Sequence, residues 1–351
     1  MSLEEELKKD NFVITTQINL NQFKSPGDVL KYAESVSPFV DAIIINENLT
    51  TDMGMSSLAI SHILKDTGVD IIFNFCGNSH SKRKMSSLVT TSWFLGIHNL
   101  CISENNTHLF NYKGDSEGKK GISVDEMHSL INSLSSGKAH DKMEFLIGSI
   151  IDFEEKPFEV TMKHFEKDIK IGATFFLTSP VYSTKIINSL TATGMAKKVK
   201  VIANINPSRT VNELEALRKH DERIVSDKLL KEIKKIRNNE EKMLKCLALL
   251  MRNLKSSVAG FNIVGSKNQI IKLFKLAGLK SRLKKNVSSI SFNPERLNQV
   301  LEARLTLREF EKAYIMRVLK TTSGNRCKAA ELLGIHRNTL MRKCDEYNIK
   351  L

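Results

Sequence analysis

Between residues 12 and 265, short apolar runs alternate with amphipathic stretches in a steady rhythm. The runs are FVITTQI from 12, DAIIIN from 41, VDIIFNF from 69, HNLCI from 98, EFLIGSI from 144, GATFFLT from 172, KVKVIANI from 198 and VAGFNIV from 258. Each is short and rich in β-branched and aromatic residues, as a strand buried on both faces requires. Between them SPGDVLKYAESVSPF, SSLAISHILKDTG and VDEMHSLINSLSSG place apolar residues three and four apart, the spacing of a helix with one buried face. Eight strand-helix alternations over ~250 residues predict an α/β fold, a (β/α)8 TIM barrel, with a doubly wound open sheet as the competing layout.

The pattern changes beyond residue 280. KLAGLKSRLKKNVSSISFNPERL holds a basic cluster (Lys280, Arg282, Lys284, Lys285) followed by Ser, Asn and Pro. It reads as a linker over 281–294, its cluster either touching phosphates or simply solvated. This divides the chain into a barrel at 1–280 and a small all-α domain at 295–351. Near the end, AAELLGIHRNTLMRKC (329–344) predicts two short helices around a tight turn. Asn325 caps the first helix, Ala329, Ala330, Leu332 and Leu333 form its apolar face, and Gly334 ends it in the left-handed conformation. The second runs from about Arg337 to Tyr347. Ile335, Leu340 and Cys344 pack inward and turn Arg337, Asn338, Thr339, Met341, Arg342 and Lys343 outward. Arg and Asn on such a face match the acceptors of guanine and adenine in a major groove, and Lys343 suits a phosphate. An ordinary helical hairpin with a solvated basic face is the alternative.

From Leu307, LREFEKAYIMRVLKTTSGNRCKAAELLGIHRNTLMRKCDEYNI resembles the Fis-type DNA-binding domain of Fis and NtrC-like regulators. The resemblance rests on Glu311, Ile315, Leu319, Gly324-Asn325, Ala329-Ala330, Leu333-Gly334-Ile335 and Arg337-Asn338-Thr339-Leu340. It implies double-stranded DNA as partner, a homodimer built on Leu297, Leu301, Leu305, Phe310, Ile315 and Leu319, and DNA contacts from Arg326, Lys328, His336, Arg337, Asn338, Thr339, Met341, Arg342 and Lys343. His336 stands where the family often has Ser or Asn as a cap, which predicts a looser helix start.

Composition narrows the partners. The 351 residues carry a formal charge of +14, which favours an anionic partner. Residues 306–351 hold ten Lys or Arg against five Asp or Glu. No apolar run approaches a membrane span and MSLEEELKKD lacks a signal-peptide core, so the sequence predicts a cytoplasmic protein with no membrane partner. The cysteines at 76, 101, 246, 327 and 344 include no C-x-x-C pair and the histidines no H-x-x-x-H, so no metal site is expected.

In a barrel of this kind function gathers where strands end. Those ends carry Gln17 and Asn19, Asn46 and Asn48, Asn74, Ser103 to Asn106, Ser179, and Asn204 and Asn206. Amides and hydroxyls bind a ligand but transfer no proton at neutral pH, so the mouth reads as a binding site or, residue by residue, as strand-end turn formers. SHSKRKMSS (79–87) is expected on a loop after the third strand, either holding a ligand anion or merely soluble.

VSPFVDAIIINEN (36–48), Met55-Ser56-Ser57-Leu58-Ala59, FLGIHNL (94–100), GATFFLTSPVY (172–182), VIANINPSRT (201–210) and SVAGFNIVG (257–265), in this order, resemble methylenetetrahydrofolate reductase, a flavin-dependent barrel enzyme. The resemblance covers roughly residues 10–280 and implies ligand contacts at Gln17, Asn106 and Ser179, to which the strand-end reading adds Asn46, Asn74 and Asn204. The family's strand-one glutamate corresponds to Gln17, and its Thr-Gly-Asp after strand four to Glu104-Asn105-Asn106. Its flavin-holding stretch after strand three reads Gly77-Asn78-Ser79-His80-Ser81, and its folate-contacting Gln reads Ser179. With both acids replaced by amides, no catalytic residue and no cofactor are expected. Glu104, two positions displaced, is the one stand-in carboxylate. The expectation is a DNA-binding regulator whose retired barrel senses a pterin or one-carbon compound. The rivals are an active, FAD-dependent reductase with an appended domain and a barrel that serves only as an interaction platform.

Overall fold

The computed structural model describes residues 2–46, 56–65, 67–77, 80–103, 121–135, 143–154, 156–236, 239–279, 312, 314–319, 322, 324–333 and 335–349. Eight parallel strands close into a barrel in sequence order: β1 (Val13–Ile18), β2 (Ala42–Asn46), β3 (Asp70–Cys76), β4 (Asn99–Ser103), β5 (Leu146–Ile151), β6 (Phe175–Pro180), β7 (Lys200–Ile205) and β8 (Gly260–Ile263). Every predicted strand is present, and the open-sheet alternative is excluded because β1 pairs with β8, Val13 opposite Gly260.

Strand periodicity divides the core into two layers. Ile14, Ile43, Ile45, Phe73, Phe75, Leu100, Phe176, Val201 and Phe261 point outward against the helices. Val13, Ala42, Ile44, Ile72, Cys101, Phe175, Leu177 and Ile202 fill the inside. The short α1 (Leu3–Lys8) adds Leu3 and Leu7 to that inner cluster, and the Leu3 amide donates to the Asp70 carboxylate at the start of β3. The N-terminal end of the barrel therefore has an apolar floor. Two glycines permit the closure. A Cβ on Gly260 would collide with the Val13 carbonyl across the β1–β8 seam, and one on Gly148 with the Phe175 ring inside the barrel.

The outer helices are α2 (Pro26–Val36), α3 (Ser57–Lys65), α4 (Lys82–Phe94), α5 (Val124–Ser135), α6 (Phe158–Lys170), α7 (Thr184–Ala192), α8 (Val211–His220), α9 (Asp227–Ile236), α10 (Glu240–Leu254) and α11 (Lys267–Leu276). The loop expected at 79–87 is corrected by α4: Ser81 caps it by accepting from the Lys84 amide, and Met85 is buried on its inner face. Lys82, Arg83 and Lys84 thus form the exposed first turn of a helix. The β7–β8 crossover carries three helices. Its segment between α8 and α9 returns to β6, where the Tyr182 amide donates to Ile224 O at 3.1 Å.

The C-terminal region has its own core. A helical segment at 314–319, α12 (Arg326–Leu332) and α13 (Arg337–Glu346) bury Ile315, Val318, Leu319, Ala329, Ala330, Leu340, Cys344 and Tyr347 together. Gly334, the linker at 281–294 and the dimerisation residues Leu297, Leu301, Leu305 and Phe310 lie outside the described residues.

Candidate functional site

The alternation that points Val13, Ile44, Ile72 and Ile202 inward also points Gln17, Asn46, Asn74 and Asn204 inward, nearer the C-terminal ends of their strands. Asn262 of β8 joins them. The interior is therefore apolar below and amide-rich above. Gln17 is buried, Asn74 donates to Asn46 Oδ1 at 3.2 Å, and Thr15 donates to Asn262 Oδ1 at 3.0 Å. Asn204 is 2% exposed and its Oδ1 has no hydrogen-bond partner among the described residues; the same holds for Asn46 Nδ2. Ser179 behaves differently. Its Oγ accepts from the Phe153 amide at 3.0 Å, tying β6 to the end of β5. Asn48, Glu104, Asn105 and Asn106 lie outside the described residues.

Beyond the C-terminal ends of the strands stands a buried charged pair that the strand-end residues do not include. Glu154, three residues past β5, and Arg209, four past β7, form an ion pair of 2.9 Å whose side chains are 3% and 12% exposed. Burial pushes the Glu154 carboxyl up to about 7, against the pull of the Arg209 guanidinium and with help from Asp152. Its Oε1 has no hydrogen-bond partner among the described residues. Tyr182, fully buried past the end of β6, donates to Asn206 O at 2.8 Å on the same rim. The sequence signal was opposite charges a few residues beyond the ends of β5 and β7, which flank β6.

Ile122 donates through its amide to Gly77 O and His80 O, both at 3.1 Å, and its carbonyl fills the space where a Gly77 Cβ would stand. The Ile122 backbone thus ties the turn after β3 to the segment that leads into α5. Among the described residues, no group of three or more His, Cys, Asp or Glu is arranged for a metal.

In the C-terminal domain the Asn325 side chain accepts from the amides of Cys327 and Lys328, both at 3.1 Å, and starts α12. His336 caps α13 through Nδ1, which accepts from the Asn338 amide at 3.2 Å, so histidine serves the cap position. Arg337, Asn338 and Arg342 are exposed on α13, as is Lys328 on α12, while Thr339 and Lys343 are half-buried. Arg326 and Met341 are half-buried because they touch each other, Nη1 to Sδ at 3.2 Å across the turn. The Lys343 ammonium stands 5.7 Å from the centre of the Tyr347 ring.

Two helices crossing a capped turn over a shared apolar core, with a basic outer face, define a helix-turn-helix domain. Residues 306–347 match the family model for bacterial regulatory protein, Fis family, so this domain is of the Fis type. A putative Fis-like DNA-binding protein of Xylella fastidiosa is 47% identical over 45 residues, 13% of this chain and 50% of that protein; the chain thus spans half of that relative. DNA-binding protein Fis of Vibrio atlanticus is 29% identical over 98 residues, 28% of this chain and 96% of that protein. The barrel is similar in fold to an uncharacterized protein from Clostridium thermocellum that binds two copies of 5-methyl-5,6,7,8-tetrahydrofolic acid. The TM-score is 0.51 at 14% identity, over 78% of this chain and 97% of that one.

Proposed function

We propose that the chain is a DNA-binding transcriptional regulator, a homodimer through its Fis-type domain, whose barrel holds a pterin or one-carbon compound and thereby biases DNA binding. The observation that carries the sensing half is the pair of amide atoms without a hydrogen-bond partner among the described residues, Asn204 Oδ1 and Asn46 Nδ2, in a barrel interior closed from below by apolar side chains. A buried polar group without a partner costs about 1–3 kcal/mol, and a bound ligand that supplies the partner recovers it. Gln17, Asn106 and Asn204 are the ligand contacts in this reading. The exposed Arg337, Asn338 and Arg342 supply base contacts, and Lys328 and Lys343 phosphate contacts. The folate carried by the Clostridium thermocellum barrel makes 5-methyltetrahydrofolate the first ligand to test. The test is thermal: a ligand at 100 times its Kd that binds only the folded barrel adds about 2.7 kcal/mol of stability, and the absence of any shift with folates and pterins removes the sensing role.

A second reading has one observation in its favour. Glu154, with its carboxyl pushed up to about 7, is a buried proton donor at the rim of the mouth, as an atypical reductase would require. Sustained reduction of methylenetetrahydrofolate by purified protein supplied with flavin and reduced nicotinamide would establish it.

A further inference from the structure

Along its middle, α4 lacks the solvated face of an outer barrel helix. Residues 85–93 (MSSLVTTSW) carry no charge, and none of them is exposed. Over a similar length α2 exposes Asp28, Lys31 and Glu34, and α10 exposes Lys245, Leu249 and Arg252, as a helix with one buried face does. The α4 hydroxyls can be covered because the helix itself takes up their protons. Thr91 Oγ1 donates to Ser87 O and Ser92 Oγ to Val89 O, both at 2.7 Å. Small uncharged side chains with engaged donors lose little rotamer freedom and little hydration when another surface meets them.

Tyr314, on the helical segment before the helix-turn-helix, reaches this face. Its hydroxyl lies 3.2 Å from Thr91 Oγ1. The Thr91 proton is engaged on Ser87 O, so Tyr314 donates and Thr91 accepts. The Tyr314 ring meanwhile packs against the core of the C-terminal domain, built on Ile315, Val318 and Leu319. One side chain therefore joins the two domains, its apolar body in one and its polar tip on the other. The contact leaves the DNA-reading helices uncovered, because Lys328, Arg337, Asn338 and Arg342 are exposed in the same arrangement.

We propose that α4 is the seat of the DNA-binding domain: the C-terminal domain of the same chain docks through Tyr314 on the uncharged outward face of α4, in a position that leaves its reading face open. The partner that fits this surface is thus the chain's own helix at 314–319, and the seat orients the DNA-binding domain without blocking it. The inference does not depend on what the barrel binds.

The native residues supply a readout. Trp93 is the only tryptophan and lies on α4 two residues from Thr91, stacked on His98. Cys327 is exposed on α12, whereas Cys76, Cys101 and Cys344 are buried. The test is resonance energy transfer in the full chain, from Trp93 to a naphthalene dye on Cys327 in a Cys246→Ser background. Labelled chains are mixed with an excess of unlabelled chains carrying Trp93→Phe and Cys246→Ser, so that in a homodimer the transfer arises within one chain. Thr91→Arg places a long charged side chain in the seat, and Ser87→Arg does so one turn away on the same helix face. An unpaired charge on a covered face disfavours the docked state, so transfer should be efficient in the wild type and fall at least about 2-fold in both variants, with helix content by circular dichroism unchanged. Transfer in the wild type no greater than in either variant that folds overturns the inference. No ligand enters the measurement, so its outcome stands apart from that of the sensing role.

Discussion

His128 lies wholly inside the barrel's helical layer on α5, and neither ring nitrogen has a hydrogen-bond partner among the described residues. Burial lowers its pKa from the ordinary 6.5 to about 4. The folded chain holds that proton less tightly than the unfolded chain, so the stability contributed by neutral His128 is complete above about pH 6.5 and is lost as pH falls toward about 4. His128→Leu removes the titration while keeping an apolar side chain. Thermal melts of the variant should therefore lose less between about pH 7.5 and about pH 4.5 than those of the wild type, and parallel losses would show that acid sensitivity arises elsewhere. On the DNA side, Arg337→Ala should cost ~1–3 kcal/mol and relax specificity at one base position, whereas Lys343→Ala should weaken all sequences about equally. Binding assays on an operator and on random duplex separate the two, and equal losses on both for Arg337→Ala would remove it from base reading.

Elements depend on a few specific positions. The α12 start relies on Asn325, whose side chain takes two amides, and Asn325→Ala should cost about 1 kcal/mol in the melting of the C-terminal domain. Gly260→Ala should be far more damaging, because its Cβ meets the Val13 carbonyl where the barrel closes; loss of soluble folded protein, or a drop in stability of at least ~2 kcal/mol, is the expected result. The strands were readable from sequence because parallel strands packed on both faces leave continuous apolar runs, and all eight lie within three residues of those runs. The helix-turn-helix was readable because caps and apolar spacing are local. The start of α4 was obscured by Lys82, Arg83 and Lys84, which read as a soluble loop until the Ser81 cap is seen. Gln17, Asn46, Asn74 and Asn204 were legible as inward strand-end residues. Glu154 and Arg209 were not, because their pairing spans 55 residues and joins two loops, and no periodicity in either loop announces it.

The whole molecule joins a polar barrel mouth to a domain with a basic helical face. Operator affinity should fall steeply with salt as Lys and Arg contacts release counterions. A ligand shifts DNA binding only if it binds the DNA-competent and DNA-incompetent states with different affinity, and the coupling is then reciprocal. Gln17→Leu keeps the approximate volume of the side chain while deleting its hydrogen bonds, so it should weaken the ligand and leave ligand-free operator affinity unchanged. The decisive measurement is an operator titration of wild type and Gln17→Leu with and without saturating 5-methyltetrahydrofolate or pterin, with barrel occupancy confirmed separately. The account predicts that ligand moves the wild-type curve by ~1–3 kcal/mol, about 5- to 150-fold, with an equal effect of operator DNA on ligand affinity and a smaller shift in Gln17→Leu. Superimposable curves at proven occupancy would contradict it and leave the barrel as a platform that does not signal to the DNA-binding domain.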